Sequence, residues 1–220
     1  MDFNLSEEQL NFQRSVRNLA ERHLKENNLK RAHDPNFPKD IARLFAKNGL
    51  MGITIPEIDG GQGGKLMDAV IAIEQVALVC PRSADVIQSG SFGPLRTFAE
   101  YASPFQKEKY LTKLLNGEIV IGLGMTEPNA GSAVTDLATK ATSDGDGFRV
   151  SGSKIFTSNS PDADIFLVYV RYGEGINGIG SVLMDRSMKG FSLGKPSKYT
   201  NGEEWCALYF ENVFIPKENV

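Results

Sequence analysis

The pattern of apolar and polar positions changes its period once along this chain. Ser6-Glu-Glu-Gln9 has the form of a helix capping box, and behind it Leu10, Phe12, Val16, Leu19, Ala20 and Leu24 recur at helical spacing with charges between them. Pro35 and Pro38 punctuate, and Pro38 suits the first turn of a second helix running to Asn48, with Gly49 as a left-handed stop. Residues 66–79 read as a broad apolar helix, which predicts burial on several sides. Further helical segments are predicted over 84–89, 94–101 and 105–116. In the last, Lys107, Lys109 and Lys113 face outward, Tyr110, Leu111 and Leu114 inward, and Gly117 ends the run. After Gly117 the period shortens. Residues 119–125, 137–143, 148–154, 165–171, 180–184, 191–195 and 205–213 read as strands, and Asp144-Gly-Asp-Gly147 is a hairpin turn. The expected fold is therefore α+β: an all-α helical domain over 1–118, then an antiparallel β-barrel or sandwich domain over 119–220.

Composition narrows the function classes. A net charge of −3 offers no basic face for nucleic acid or an anionic membrane. Cys80 and Cys206 lie far apart with only two histidines in the chain, so no metal site is expected. Both cysteines read as free thiols in a reducing compartment, which points to the cytoplasm or a matrix-like space. The acidic opening has no apolar signal core, and no run approaches the roughly 20 apolar residues of a membrane span.

One stretch has the chemistry of a ligand loop. Ile119-Val-Ile-Gly-Leu-Gly-Met-Thr-Glu-Pro-Asn-Ala-Gly-Ser132 begins as a buried strand and breaks at Glu127-Pro128, because proline cannot donate to a sheet ladder. Small residues follow, with Gly131 free to take positive φ. Such a loop can bring backbone N–H groups close to an anion or a planar ring. By contrast, Gly60-Gly-Gln-Gly-Gly-Lys65 lacks the spacing and hydroxyl of a phosphate loop, and reads as a turn between a short strand and the 66–79 helix.

Four stretches resemble the acyl-CoA dehydrogenase family, in family order and across nearly the whole chain. They are Gly52-Ile-Thr-Ile-Pro-Glu-Ile-Asp-Gly-Gly61, Met125-Thr-Glu-Pro-Asn-Ala-Gly-Ser132, Gly152-Ser-Lys-Ile-Phe-Thr-Ser-Asn159 and Phe210-Glu-Asn-Val-Phe-Ile-Pro-Lys-Glu-Asn219. The resemblance implies FAD as cofactor, an acyl-CoA substrate, an electron-transfer flavoprotein as electron acceptor and a homo-oligomer in the full-length form. It implies that Leu123, Met125, Thr126 and Ser132 line the flavin, with Ser132 reaching also towards the acyl-CoA. Phe156 takes the place of a tryptophan beside the ring, Thr157 that of an aliphatic residue, and Ser158 that of a threonine whose hydroxyl serves the ring nitrogen. Read from pattern alone, Thr126 and Ser132 equally satisfy backbone groups in a tight turn, and Phe156 equally reads as barrel core. Tyr101 and Tyr110 read as helix core.

Some positions depart from the family pattern. Ala133 stands where the family has aspartate, Leu123 where it has an aromatic, and Gly202-Glu-Glu-Trp-Cys206 replaces a segment of small residues and arginine. The family's catalytic glutamate belongs to a helical bundle expected beyond Val220, so no catalytic residue is assigned here, and Glu127 reads as structural. These 220 residues are expected to form a half-site that holds FAD weakly. An acyl-CoA oxidase or other flavin oxidase, and a non-catalytic acyl-CoA or flavin-binding subunit that completes a partner's site, stand as alternatives.

Overall fold

The computed structural model describes residues 4–220; Met1, Asp2 and Phe3 of the acidic opening lie outside the described residues. The chain forms two compact units, one running to Ala102 and including Tyr110–Glu118 and Thr200–Gly202, the other of Ser103–Lys109, Ile119–Tyr199 and Glu203–Val220.

In the first unit the helices are α1 (Glu7–Leu24), α2 (Asn28–Ala32), α3 (Lys39–Lys47), α4 (Leu66–Ala77), α5 (Pro81–Ser91) and α6 (Pro94–Tyr101). The Ser6/Gln9 capping box forms as the sequence predicts, with the Gln9 N–H donating to Ser6 Oγ at 3.2 Å. Val16, Ala20 and Leu24 of α1 join Ala69, Ala72 and Val76 of α4 in the core. Gly49 and Gly117 take φ of 68° and 66°, the left-handed conformation their predicted role requires.

Three expectations need correction here, and one helix was not foreseen. No strand precedes the glycine cluster, because Gly52–Pro56 and the turns around them satisfy one another locally: Ile55 and Gln62 N–H both donate to the Gly52 carbonyl, at 3.0 Å each. α4 is not covered on several sides, since Leu66, Met67 and Val70 leave an exposed apolar face. Tyr101 is 76 % exposed at the end of α6, not core, whereas Tyr110 is buried against Phe98. α2 gives no apolar signal because none of its residues is buried. The predicted 105–116 helix forms as α7 (Pro104–Gln106), a π-helical turn (Lys107–Leu111) and α8 (Thr112–Leu115).

The second unit curls an eight-stranded sheet: β1 (Ile121–Gly124), β2 (Lys140–Asp144), β3 (Gly147–Ser158), β4 (Ile165–Arg171), β5 (Ile179–Asp185), β6 (Phe191–Leu193), β7 (Ser197–Lys198) and β8 (Glu204–Pro216). The path runs β1-β4-β2-β3-β8-β6, with β5 on β4 and β7 on β8. The sheet is mixed, which corrects the antiparallel expectation: β1 runs parallel to β4, from Ile121 opposite Ile165 to Gly124 opposite Val168. Parallel neighbours need a crossover of a dozen residues or more, and the chain between Gly124 and Ile165 supplies one. The β2–β3 turn has Gly145 at φ 61° as the only positive φ of its two central residues, so glycine stands where that geometry requires it.

Candidate functional site

The break after β1 is held by a buried ion pair. Pro128 and Asn129 occupy the centre of a tight turn, in which Glu127 N–H donates to the Ala130 carbonyl at 3.0 Å and Ala130 N–H returns the bond at 3.1 Å. The Glu127 carboxylate, 7 % exposed, accepts from Ala138 N–H (2.6 Å), Thr139 N–H (2.9 Å) and the fully buried Lys154 ammonium (2.8 Å). Lys154 Nζ also donates to the Met125 carbonyl at 3.0 Å, and Ile155 N–H donates to the Thr126 carbonyl at 2.8 Å. Met125 and Thr126 are thereby fixed against the middle of β3. Burial alone raises a carboxyl's pKa, but the Lys154 bond and the Thr139 and Ala138 donors outweigh it and hold Glu127 below the ordinary carboxylate value. Burial presses the Lys154 ammonium downward while Glu127 opposes it.

Beyond Lys154, β3 loses register with β8 between Lys154 and Thr157. Phe156 sits in this bulge at φ 56°, a left-handed conformation that costs a bulky residue about 1–3 kcal/mol. The residue is half-exposed, at 50 %. The core reading of Phe156 is thus set aside. Ser158, two residues on, pairs across the ladder with Trp205 of β8, and the Trp205 ring lies 4.6 Å from that of Phe156. Thr157, between them, is fully buried, and its Oγ1 has no hydrogen-bond partner among the described residues.

The other sequence-predicted residues flank this joint. Leu123 is half-buried near the end of β1, and Met125 and Thr126 are half-buried just past it. Ser132 is exposed, and a Cβ at Gly131 would meet nothing within 4 Å, so this part of the loop borders open space. Gly131 makes no use of positive φ. The structure brings Met125 and Thr126 to β3, and sets Phe156 and Ser158 on one face of it. Thr157 turns to the other face, and Ser132 stands apart in the open loop.

Several supporting residues were not singled out from the sequence. Lys154 gave a usable signal, because a lysine flanked by strand residues needs a partner if buried. Arg171, at the end of β4, gave none. Its guanidinium donates to the carbonyls of Leu137 (2.9 Å), Thr135 (2.5 Å), Gly173 (3.2 Å) and Gly175 (2.9 Å), which ties down the segment following Ser132. Arg171→Ala is expected to cost about 2 kcal/mol. A urea midpoint would register that loss, and limited proteolysis would show new cleavage between residues 131 and 137.

Among the described residues no group of histidine, cysteine or carboxylate side chains can hold a metal ion, and no helix is long and apolar enough to cross a membrane. Both cysteines are free and buried, and burial pushes the Cys206 thiol up, against the Ser160 hydroxyl that lowers it, so it is a poor nucleophile.

Comparison with known proteins agrees with this architecture. Residues 6–118 match the family model of the acyl-CoA dehydrogenase N-terminal domain, and residues 122–213 that of the middle domain. The chain is 32 % identical over 224 residues to the short-chain specific acyl-CoA dehydrogenase of Clostridium acetobutylicum, covering all of this chain and 59 % of that protein. It is 33 % identical over 218 residues to the mitochondrial isovaleryl-CoA dehydrogenase of Arabidopsis thaliana, covering 96 % of this chain and 53 % of that one. The solved butyryl-CoA dehydrogenase of Megasphaera elsdenii superposes with a TM-score of 0.86 at 28 % identity, over all of this chain and 59 % of that chain. A chain from the structural work on the electron transferring flavoprotein of Acidaminococcus fermentans gives 0.87 at 29 %, with the same coverage. The chain thus spans little more than half the length of the relatives it matches. Over that length both halves of its sequence and its whole backbone follow one pattern, and the chain belongs to the acyl-CoA dehydrogenase family.

Proposed function

We propose that the chain supplies the flavin-facing part of an acyl-CoA dehydrogenase, holding FAD for the α,β-dehydrogenation of an acyl-CoA thioester. The observation that carries this reading is the joint at which Lys154 and Ile155 clamp Met125 and Thr126 against β3, beside a half-exposed aromatic ring. The residues suit such a group: a planar ring needs an apolar face, which Phe156 gives, and polar contacts at its edge, which Thr126 and Ser158 can make. When bound, FAD accepts the hydride removed from the substrate.

The chain's own residues bind and orient. Met125 and Thr126 offer backbone and hydroxyl groups to one ring edge, Phe156 covers a face, and Ser158 offers its hydroxyl to the ring nitrogen. Leu123 trims the adjoining wall, Thr157 contributes through its backbone, and Ser132 faces the pyrophosphate and the acyl-CoA. Glu127 is taken up by Lys154, Ala138 and Thr139, so it is unsuited to act as base. The base belongs to the length of the relatives that this chain does not span. We further infer an electron-transfer flavoprotein as acceptor, a homo-oligomeric full-length protein, and a reducing compartment such as the cytoplasm, in keeping with two buried free thiols.

The test is an anaerobic absorption titration of the chain, supplied with excess FAD, against a panel of acyl-CoAs. Retained flavin that stays oxidised supports a half-site whose base lies elsewhere. Retained flavin that bleaches identifies the acyl group and shows that a base is present. Failure to retain FAD in excess overturns the reading.

A further inference from the structure

The face of β3 that carries Phe156 and Ser158 holds one more side chain with ring chemistry. Trp205 lies directly across the ladder from Ser158, and its ring is tilted 58° against that of Phe156 at a centroid separation of 4.6 Å. The ring of Tyr199 also lies near it, at a centroid separation of 6.2 Å. The Tyr199 hydroxyl donates to the Phe156 carbonyl at 3.2 Å, so the tyrosine holds the strained residue by its backbone while the tryptophan holds it by its ring. This cluster surrounds a phenylalanine that is half-exposed in a left-handed conformation, an arrangement that persists only where its surroundings over-determine it. A half-exposed aromatic group of this kind is costly as a mere surface and well suited to a planar partner. Aromatic rings favour offset or tilted neighbours, and an indole adds both ring area and an N–H that phenylalanine lacks.

We propose that Trp205 is a wall of the planar-ring site, binding the flavin together with Phe156 and holding that residue in place. The inference rests on the reading of this face as a flavin site, and it assigns Trp205 a part that neither the motif Gly152–Asn159 nor the loop 125–132 contains. Tryptophan at 205 makes good at the neighbouring strand what phenylalanine at 156 lacks in ring area.

The chain contains one tryptophan, so its intrinsic indole emission reports on this position alone. Saturating FAD is expected to extinguish that emission in the wild-type chain. Trp205→Ala is expected to weaken FAD binding about tenfold and to shift the long-wavelength flavin band. Trp205→Phe is expected to restore affinity to within about threefold of wild type, since a ring again meets Phe156. A Trp205→Ala chain that melts earlier but binds FAD with unchanged affinity and spectrum overturns the inference and leaves Trp205 as packing only. Saturable FAD binding that leaves the wild-type emission unchanged overturns it without any variant. A wild-type chain that retains no FAD is a separate result, and removes the flavin reading on which the inference stands.

Discussion

Lys154→Met is expected to cost the chain about 3–5 kcal/mol, because it leaves the Glu127 carboxylate buried without its cation. The same change frees the Met125 carbonyl, so flavin retention is expected to fall with stability. Replacing both partners, Lys154→Met with Glu127→Leu, is expected to recover much of the stability but not the fixed Met125 carbonyl, which separates folding from site geometry. The dependence on pH follows from the same pair. A carboxyl whose folded pKa lies below its unfolded value contributes stability that is full above the unfolded value. That stability is lost as pH falls through the folded one. Wild-type stability should therefore decline in acid below the ordinary carboxylate range. In Lys154→Met the lone buried carboxyl is expected to titrate above its unfolded value, so that variant loses stability as pH rises, the opposite slope. Urea midpoints of both chains between neutral and acidic pH measure the two slopes. Parallel curves would remove the pair from its assigned role.

Gly152→Ala is the second large effect. Gly152 has φ 147°, and a Cβ there would stand 2.6 Å from Thr139 Oγ1 and 2.7 Å from Thr139 Cα. Backbone cannot yield as a flexible side chain can, so strain and overlap together are expected to cost about 3 kcal/mol or more. Thr139 is also one of the donors to Glu127, so any shift of its backbone disturbs the ion pair. Chemical denaturation should show the loss, and a near-wild-type midpoint would mean that the β2–β3 region relaxes more easily than its packing implies.

Much of this molecule was legible because its signals are local. The Ser6 cap, the stops at Gly49 and Gly117 and the Gly145 turn each depend on residues within a few positions of one another. Glu127 was legible as structural for the same reason, lying inside a proline turn. What the sequence hid depends on distant pairing. Nothing near Ile121 announces that it will lie parallel to Ile165, and the alternation of apolar residues is the same for parallel and antiparallel neighbours. Phe156 shows the limit most clearly: its period fits a core strand, yet the bulge after Lys154 turns its ring outward. Trp205 met it through a ladder partner that no local pattern specifies. Tyr101 was misplaced by its helical spacing, at a helix end where the next turn that would have covered it does not form.

The parallel pairing of β1 with β4 also sets an order of events. β2 and β3 can zip from their own two-residue turn, and β4 and β5 pair along their full length across a short connection. β1 has no such neighbour in sequence. It must wait for β4, and for the whole intervening hairpin, before its first bond can form, so the entropy of a long loop is lost before any contact repays it. The ladder of β1 with β4, from Ile121 to Gly124, is thus expected among the last parts of the sheet to assemble. By the same reasoning the β1–β4 ladder is expected to open before the β2–β3 hairpin in native-state hydrogen exchange, while the Lys154 and Ile155 bonds still hold the Met125–Thr126 end to β3.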